Sequence, residues 1–169
     1  MGGPLQKSKR QFDGNPEQSP PDDFVLFLDE NLHNCAPLLK FLDSAGVRFE
    51  RQGAHFRPGT RDAEWLPYVC KRGWILLTKD KGIRYNQLEI VAVLESNGRE
   101  FFFASGNLTG AKMAEILSAA LSKMKRMTRR IEAPFIASLS QRGEVHLRYD
   151  RGGSIHDQKK RKAKTEQHK

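Results

Sequence analysis

Asp29, Asp62 and Asp80 are the residues of this chain whose type and spacing could do chemistry. Asp29 ends the apolar run Phe24-Val25-Leu26-Phe27-Leu28, and Asp80 ends a second one, Trp74-Ile75-Leu76-Leu77-Thr78-Lys79. Asp62 opens the helical-looking stretch Asp62-Ala63-Glu64-Trp65-Leu66 that lies between them. In an open parallel sheet the residues just past the carboxyl ends of the strands converge on one crevice, where ligands bind. Two strand-end carboxylates and a third from the intervening helix can therefore share a site. Such hard oxygen ligands suit Mg²⁺ or Mn²⁺. Each acid alone has an ordinary alternative, because Asp is common in turns and at helix N-caps, and Asp62 could simply cap its helix. Their recurrence at matching ends of consecutive elements argues for a shared metal site. Glu30 and Glu64 are weaker candidates, since an exposed Glu beside a loop is common.

The elements that must position these acids are legible in the hydrophobic pattern. Residues 24–29 read as a strand buried on both faces, because the apolar run Phe24–Leu28 within them is continuous. Asn34 to Ala45 reads as an amphipathic helix with Leu38, Leu39 and Leu42 inward, stopped by Gly46. Val47 to Arg51 alternates and predicts a more exposed strand. Gln52 to Arg61, with Gly53, Pro58 and Gly59, reads as a loop. Asp62 to Arg72 predicts a helix with Trp65, Leu66 and Val69 inward, closed by Gly73, and Trp74 to Lys79 a second buried strand. Tyr85 to Ser96 reads as a helix with Leu88, Val91, Ala92 and Glu95 at helical spacing, and Glu100 to Ala104 as the next strand.

Thr109 to Arg130 is the longest predicted helix, with Met113, Ile116, Leu117, Ala120, Leu121, Met124 and Met127 as its core stripe. Lys123, Lys125, Arg126, Arg129 and Arg130 crowd its second half, where they also complement the helix dipole. Phe135 to Ser140 and Glu144 to Tyr149 alternate around Gln141-Arg142-Gly143 and predict a terminal β-hairpin. Strands and helices thus alternate at spacings that suit right-handed parallel crossovers, which predicts a three-layer α/β/α sandwich.

A chain of 169 residues fits one domain with tails. The expected organisation is a disordered N-terminal arm (1–22), a folded domain (23–150) and a basic disordered tail (151–169). The arm is rich in Pro, Gly, Gln and Ser and lacks the apolar segment of a secretory signal. No apolar stretch approaches the roughly 18 residues of a membrane span. Cys35 and Cys70 are isolated and read as buried thiols of a reducing compartment, so a cytoplasmic location is expected.

Net charge is +9 and unevenly spread. Basic and acidic residues balance at 3 and 3 in the arm, stand at 19 and 15 in the domain, and at 7 and 2 in the tail. A run such as Lys159-Lys160-Arg161-Lys162 is commonly a solvated end, and it can also hold phosphate backbones without sequence preference. Glycine-rich phosphate loops and the nucleophile elbow are absent. His33, His55 and His146 fall in three different elements without metal spacing and read as surface or packing histidines.

Phe27-Leu28-Asp29-Glu30-Asn31, then Asp62-Ala63-Glu64-Trp65-Leu66, then Leu76-Leu77-Thr78-Lys79-Asp80 with Ile83-Arg84, resembles the PIN-like domains related to VapC-type toxins. The resemblance runs from about Phe24 to Tyr149. It implies a PIN-like sandwich with a mainly parallel sheet and a C-terminal hairpin. It also implies a metal-dependent ribonuclease, the toxin of a toxin–antitoxin pair. Asp29, Asp62 and Asp80 carry over as Mg²⁺ or Mn²⁺ ligands, with Thr78 in support. A fuller PIN domain places a further acid on a helix between the first two aspartates. Here that interval offers Asp43 and Glu50, and Glu30 is the nearest substitute as a catalytic acid.

Arg51 and Arg84, with Arg57, Arg61 and Lys81, border the predicted crevice, where they could hold RNA phosphates or instead neutralise the acids. The partners implied are RNA, a cognate antitoxin and a second copy of the chain, with no membrane. Two other readings stay open. One is a catalytically weak PIN-like module that binds RNA or a protein. The other is a phosphoacceptor signalling domain, against which the terminal hairpin speaks.

Overall fold

The computed structural model describes residues 24–79 and 87–167. The expected arm at 1–22 and the residues Asp80, Lys81 and Arg84 lie outside them.

Strand β1 (Val25–Leu28) has all four side chains buried, as its unbroken apolar run requires. Helix α1 (Ala36–Ser44) follows, with Leu38 and Leu42 buried. At its end Gly46 takes φ 66°, and its N–H bonds Asp43 O while Val47 N–H bonds Leu42 O. This Schellman closure turns the chain into β2 (Arg48–Arg51), an edge strand with exposed ends. The same motif recurs after α3 (Asp62–Lys71), where Gly73 and Trp74 N–H groups bond Cys70 O and Val69 O and launch β3 (Ile75–Thr78). Both glycines expected to stop helices therefore also aim the next strand.

Helix α4 (Gln87–Glu95), β4 (Arg99–Phe103) and the long α5 (Gly110–Arg130) complete the alternation. Thr109 caps α5 by accepting Lys112 N–H on its hydroxyl. β5 (Phe135–Leu139) and β6 (Val145–Asp150) form the terminal hairpin.

Among the described residues one sheet runs in the order β2-β1-β3-β4-β5-β6-β7. β1 to β5 are parallel, and β6 and the short β7 (Gly153–Ser154) are antiparallel additions. The α/β/α expectation holds, with α1 and α5 on one face and α3 and α4 on the other. Leu26, Leu28, Ile75, Leu77, Phe101, Phe103, Phe135 and Leu139 pack under the first pair with Met113, Ile116, Leu117 and Met124. Phe27, Leu76, Phe102 and Ile136 face the second pair with Trp65, Val69, Ile90 and Val93. Phe27 stacks on Trp65 at 5.5 Å and on Trp74 at 6.0 Å between ring centroids. Burying each such side chain contributes about 1.5–3 kcal/mol. Among the described residues no helix is long and apolar enough to cross a membrane.

Three expectations need correction. The loop expected at Gln52 to Arg61 begins with a one-turn helix, α2 (Gln52–His55), whose Gln52 is buried. On α4 the inward residues are Ile90 and Val93, while Leu88 is 80% exposed. That helix is apolar almost all round, so its spacing does not select a face. The disordered tail expected at 151–169 is replaced over its described part by β7 and helix α6 (Ile155–Glu166). Gln158 Nε2 fastens α6 by donating to Asp150 Oδ1 at 2.8 Å and to Gly153 O at 3.2 Å. No α6 residue is fully buried. Polar bonds of this kind leave no hydrophobic pattern to read.

Candidate active site

β1 lies between β2 and β3, so the chain winds one way from β1 to β2 and the other way from β1 to β3. Crossovers diverge at this switch point and open a crevice beyond the carboxyl ends of β1 and β3. A cavity of about 150 Å³ occupies that place, lined at its mouth by Asp29, Glu30, Asn31, Thr60, Asp62 and Thr78.

Asp29 follows the last residue of β1. Its Oδ2 accepts the Thr78 hydroxyl at 2.5 Å and its Oδ1 accepts Asn31 N–H at 3.1 Å. Leu28 pairs with Leu77 across the parallel ladder, which brings Asp29 level with Thr78. Burial pushes the Asp29 carboxyl above the usual carboxylate range, against the pull of the bonds from Thr78 and Asn31. Thr78 is 4% exposed, so its hydroxyl is a fixed support.

Asp62 is the first residue of α3, and Arg61 occupies the N-cap position without a side-chain capping bond. Asp62 Oδ1 instead accepts Trp65 Nε1–H at 3.0 Å, which holds the carboxylate at the crevice while the helix dipole favours its charge. Glu30 lines the same cavity, but its Oε1 accepts Gly59 N–H at 2.9 Å and ties down the loop before α3. Gln52 secures the other end of that arrangement, its Oε1 accepting Glu30 N–H at 3.2 Å.

Of the expected cations, Arg51, Arg57 and Arg61 are among the described residues, and they stand away from the cavity wall. Arg51 reaches toward His33 O at 3.5 Å, and Arg61 pairs with Glu64 at 3.5 Å. Among the described residues neither they nor Arg57 line the cavity, which has no Arg or Lys in its wall. The histidines serve packing and turns: His55 lies 5.1 Å from the Trp74 ring, and His33 Nδ1 accepts Gly53 N–H.

Glu89 of α4 and Glu100 of β4 line the inner wall and were missed from sequence. Glu100 is 2% exposed, on the same sheet face as Phe102. Its charge adds to burial in pushing the Cys70 thiol up to about 11, which leaves that cysteine protonated and inert at neutral pH. An acid beginning an all-buried Phe-Phe-Phe strand was the signal available for it.

The donors around the crevice are carboxylate, amide and hydroxyl oxygens, which fit a hard divalent cation in kind. In number they fall short: among the described residues no group of three or more His, Cys, Asp or Glu side chains could hold an ion together. The third aspartate of the expected set, Asp80, lies outside the described residues.

Residues 24–105 match the family model described as "PIN like domain". Over these residues the chain is similar to the PIN-like domain family. The matched region spans β1 to β4 and hence both acids at the switch point. The chain is also similar to a Mycobacterium tuberculosis (strain ATCC 25618 / H37Rv) protein named "Putative ribonuclease VapC45". The two are 27% identical over 115 residues, which is 66% of this chain and 82% of that protein. No solved structure matches the chain to a significant degree.

Proposed function

We propose that this PIN-like protein is a metal-dependent endoribonuclease, the toxin of a toxin–antitoxin pair. The observation that carries the reading is the placement of Asp29 and Asp62 on one crevice at the switch point of a PIN-like sheet. The word ribonuclease in the mycobacterial relative's name supports the substrate class.

Asp29 and Asp62, joined by Asp80, would hold Mg²⁺ or Mn²⁺. Such an ion supplies an activated water and neutralises charge on the phosphate oxygens. The chain's own part is positioning. Thr78 and Asn31 fix both oxygens of Asp29. Trp65 fixes Asp62 from within its own helix. Glu30 and Gln52 brace the loop that forms the outer lip, so Glu30 acts as a positioning residue and not as the fourth acid.

The test is cleavage of a mixed RNA pool with Mn²⁺ and with EDTA. Wild type should cut only with the metal. Asp29→Asn, Asp62→Asn and Asp80→Asn should each lose at least 100-fold, on the order of a transition-state stabilising group. Cleavage at the wild-type rate by the Asp29 variant would remove the reading. Folded wild type that binds RNA and never cuts it would leave the second reading, an RNA-binding module. The use of the Glu30 carboxylate on Gly59 N–H favours that alternative.

A further inference from the structure

The carboxyl edge of the sheet carries a second cavity, of about 440 Å³, between the terminal hairpin and α6. Its polar wall is made by Ser138, Arg148, Tyr149, Ser154, His156 and Lys159, and none of its lining residues is acidic. Arg148 Nε donates to Ser138 Oγ at 2.8 Å, and Ser138 is 1% exposed, so a buried hydroxyl holds the guanidinium at the wall. Lys159 and His156 enter from the first turns of α6, whose N-terminal end adds partial positive charge. Asp157 lies beside His156, 3.5 Å from its ring nitrogen, and is not part of the wall.

Register relates this cavity to the acids. Thr78 pairs with Phe102, and Phe102 pairs with Ser138, so the three side chains lie in one row on the α3/α4 face. Two strand spacings put Ser138 roughly 10 Å from Thr78. At roughly 3.4 Å of rise per phosphate, a nucleic-acid strand covers that distance in about three nucleotides. The family match ends at residue 105, before any part of the hairpin and α6 that frame this cavity.

We propose that the Arg148–His156–Lys159 cavity is a phosphate subsite that holds the RNA backbone beside the Asp29 crevice. It rests on the reading of that crevice as one that takes RNA. It supplies the cations that the crevice wall lacks among its described residues. An arginine fork and a lysine point charge together suit a phosphate, and neither reads bases.

The test is fluorescence anisotropy with a labelled oligouridylate in EDTA, so that binding is read without cleavage. Lys159→Gln, an exposed change that leaves the fold intact, should weaken binding several-fold. Arg148→Gln with Lys159→Gln should weaken it further and lower the salt slope by about 0.7 for each phosphate no longer neutralised. Lys40→Gln on α1, across the sheet, removes the same charge and should change neither. Unchanged affinity and slope in the double variant would overturn the proposal, as would an equal loss in Lys40→Gln, which would reduce the effect to net charge. Weakened binding in the cavity variants of a protein that cuts no RNA with Mn²⁺ would uphold the subsite and remove the nuclease reading.

Discussion

Asp29 is held in place at a cost to its own charge. Burial disfavours the carboxylate, and the bonds from Thr78 and Asn31 only partly offset it, so its pKa in the fold exceeds the ordinary 3.8. The folded state therefore binds more protons at Asp29 than the unfolded chain does between those two values. The stabilising contribution is complete below the unfolded pKa and is lost as pH rises through the folded one. In metal-free protein at neutral pH, Asp29→Asn should raise the melting temperature, because the amide keeps the shape without the buried charge. The gain should close as pH falls toward 3.8 in melts run with EDTA; a pH-independent difference would contradict this account. At this scale the sequence was informative where chemistry and element ends coincide, as for Asp29 and Asp62. It was silent on Gln52, whose value lies in one bond to a backbone N–H across the crevice. It did not say which way Arg51 turns, because a strand-end position does not orient a long side chain.

Elements were legible wherever apolar burial decides them. β1, β3 and β4 are buried runs, and α1, α3 and α5 show single apolar faces closed by glycines or capped by Thr109. α4 was ambiguous in face because it is apolar almost all round, and α6 was invisible because hydrogen bonds hold it. The turn between β5 and β6 anchors the second cavity to the core by a close approach to α5. Gly143 in that turn has φ 76°, and a Cβ there would overlap the Ala119 side chain of α5. Gly143→Ala is thus strained in backbone and in space, and should destabilise by about 1–3 kcal/mol in urea unfolding. β6 carries Arg148, so the same variant should bind RNA more weakly than wild type. Wild-type stability in Gly143→Ala would show that the turn relaxes freely and that the hairpin is not anchored on α5.

Across the whole molecule, charge is sorted along one edge of the sheet. Asp29, Glu30 and Asp62 gather at the β1–β3 crevice, while Arg148 of β6 and His156 and Lys159 of α6 gather on the β5–β6 side. Part of the +9 net charge thus lies within about 10 Å of the acids' row of the sheet, where it favours the approach of a polyanion. If the three aspartates converge on one ion, they repel one another without it: two carboxylates about 5 Å apart oppose each other by roughly 3 kcal/mol at an effective dielectric near 20. A divalent cation that binds only the converged, folded arrangement removes that repulsion and so stabilises the entire fold by mass action. At 100 times its dissociation constant the gain is about 2.7 kcal/mol. For a chain of 169 residues that is a rise of about 5–10 °C in melting temperature. Millimolar Mn²⁺ should produce such a rise in wild type and a much smaller one in Asp29→Asn, Asp62→Asn and Asp80→Asn, read by differential scanning calorimetry. The Asp80 variant is the most informative of the three, because two aspartates alone make a poor site and a third should complete it. A full Mn²⁺ shift in Asp80→Asn would place the ion elsewhere and dissolve the three-aspartate centre.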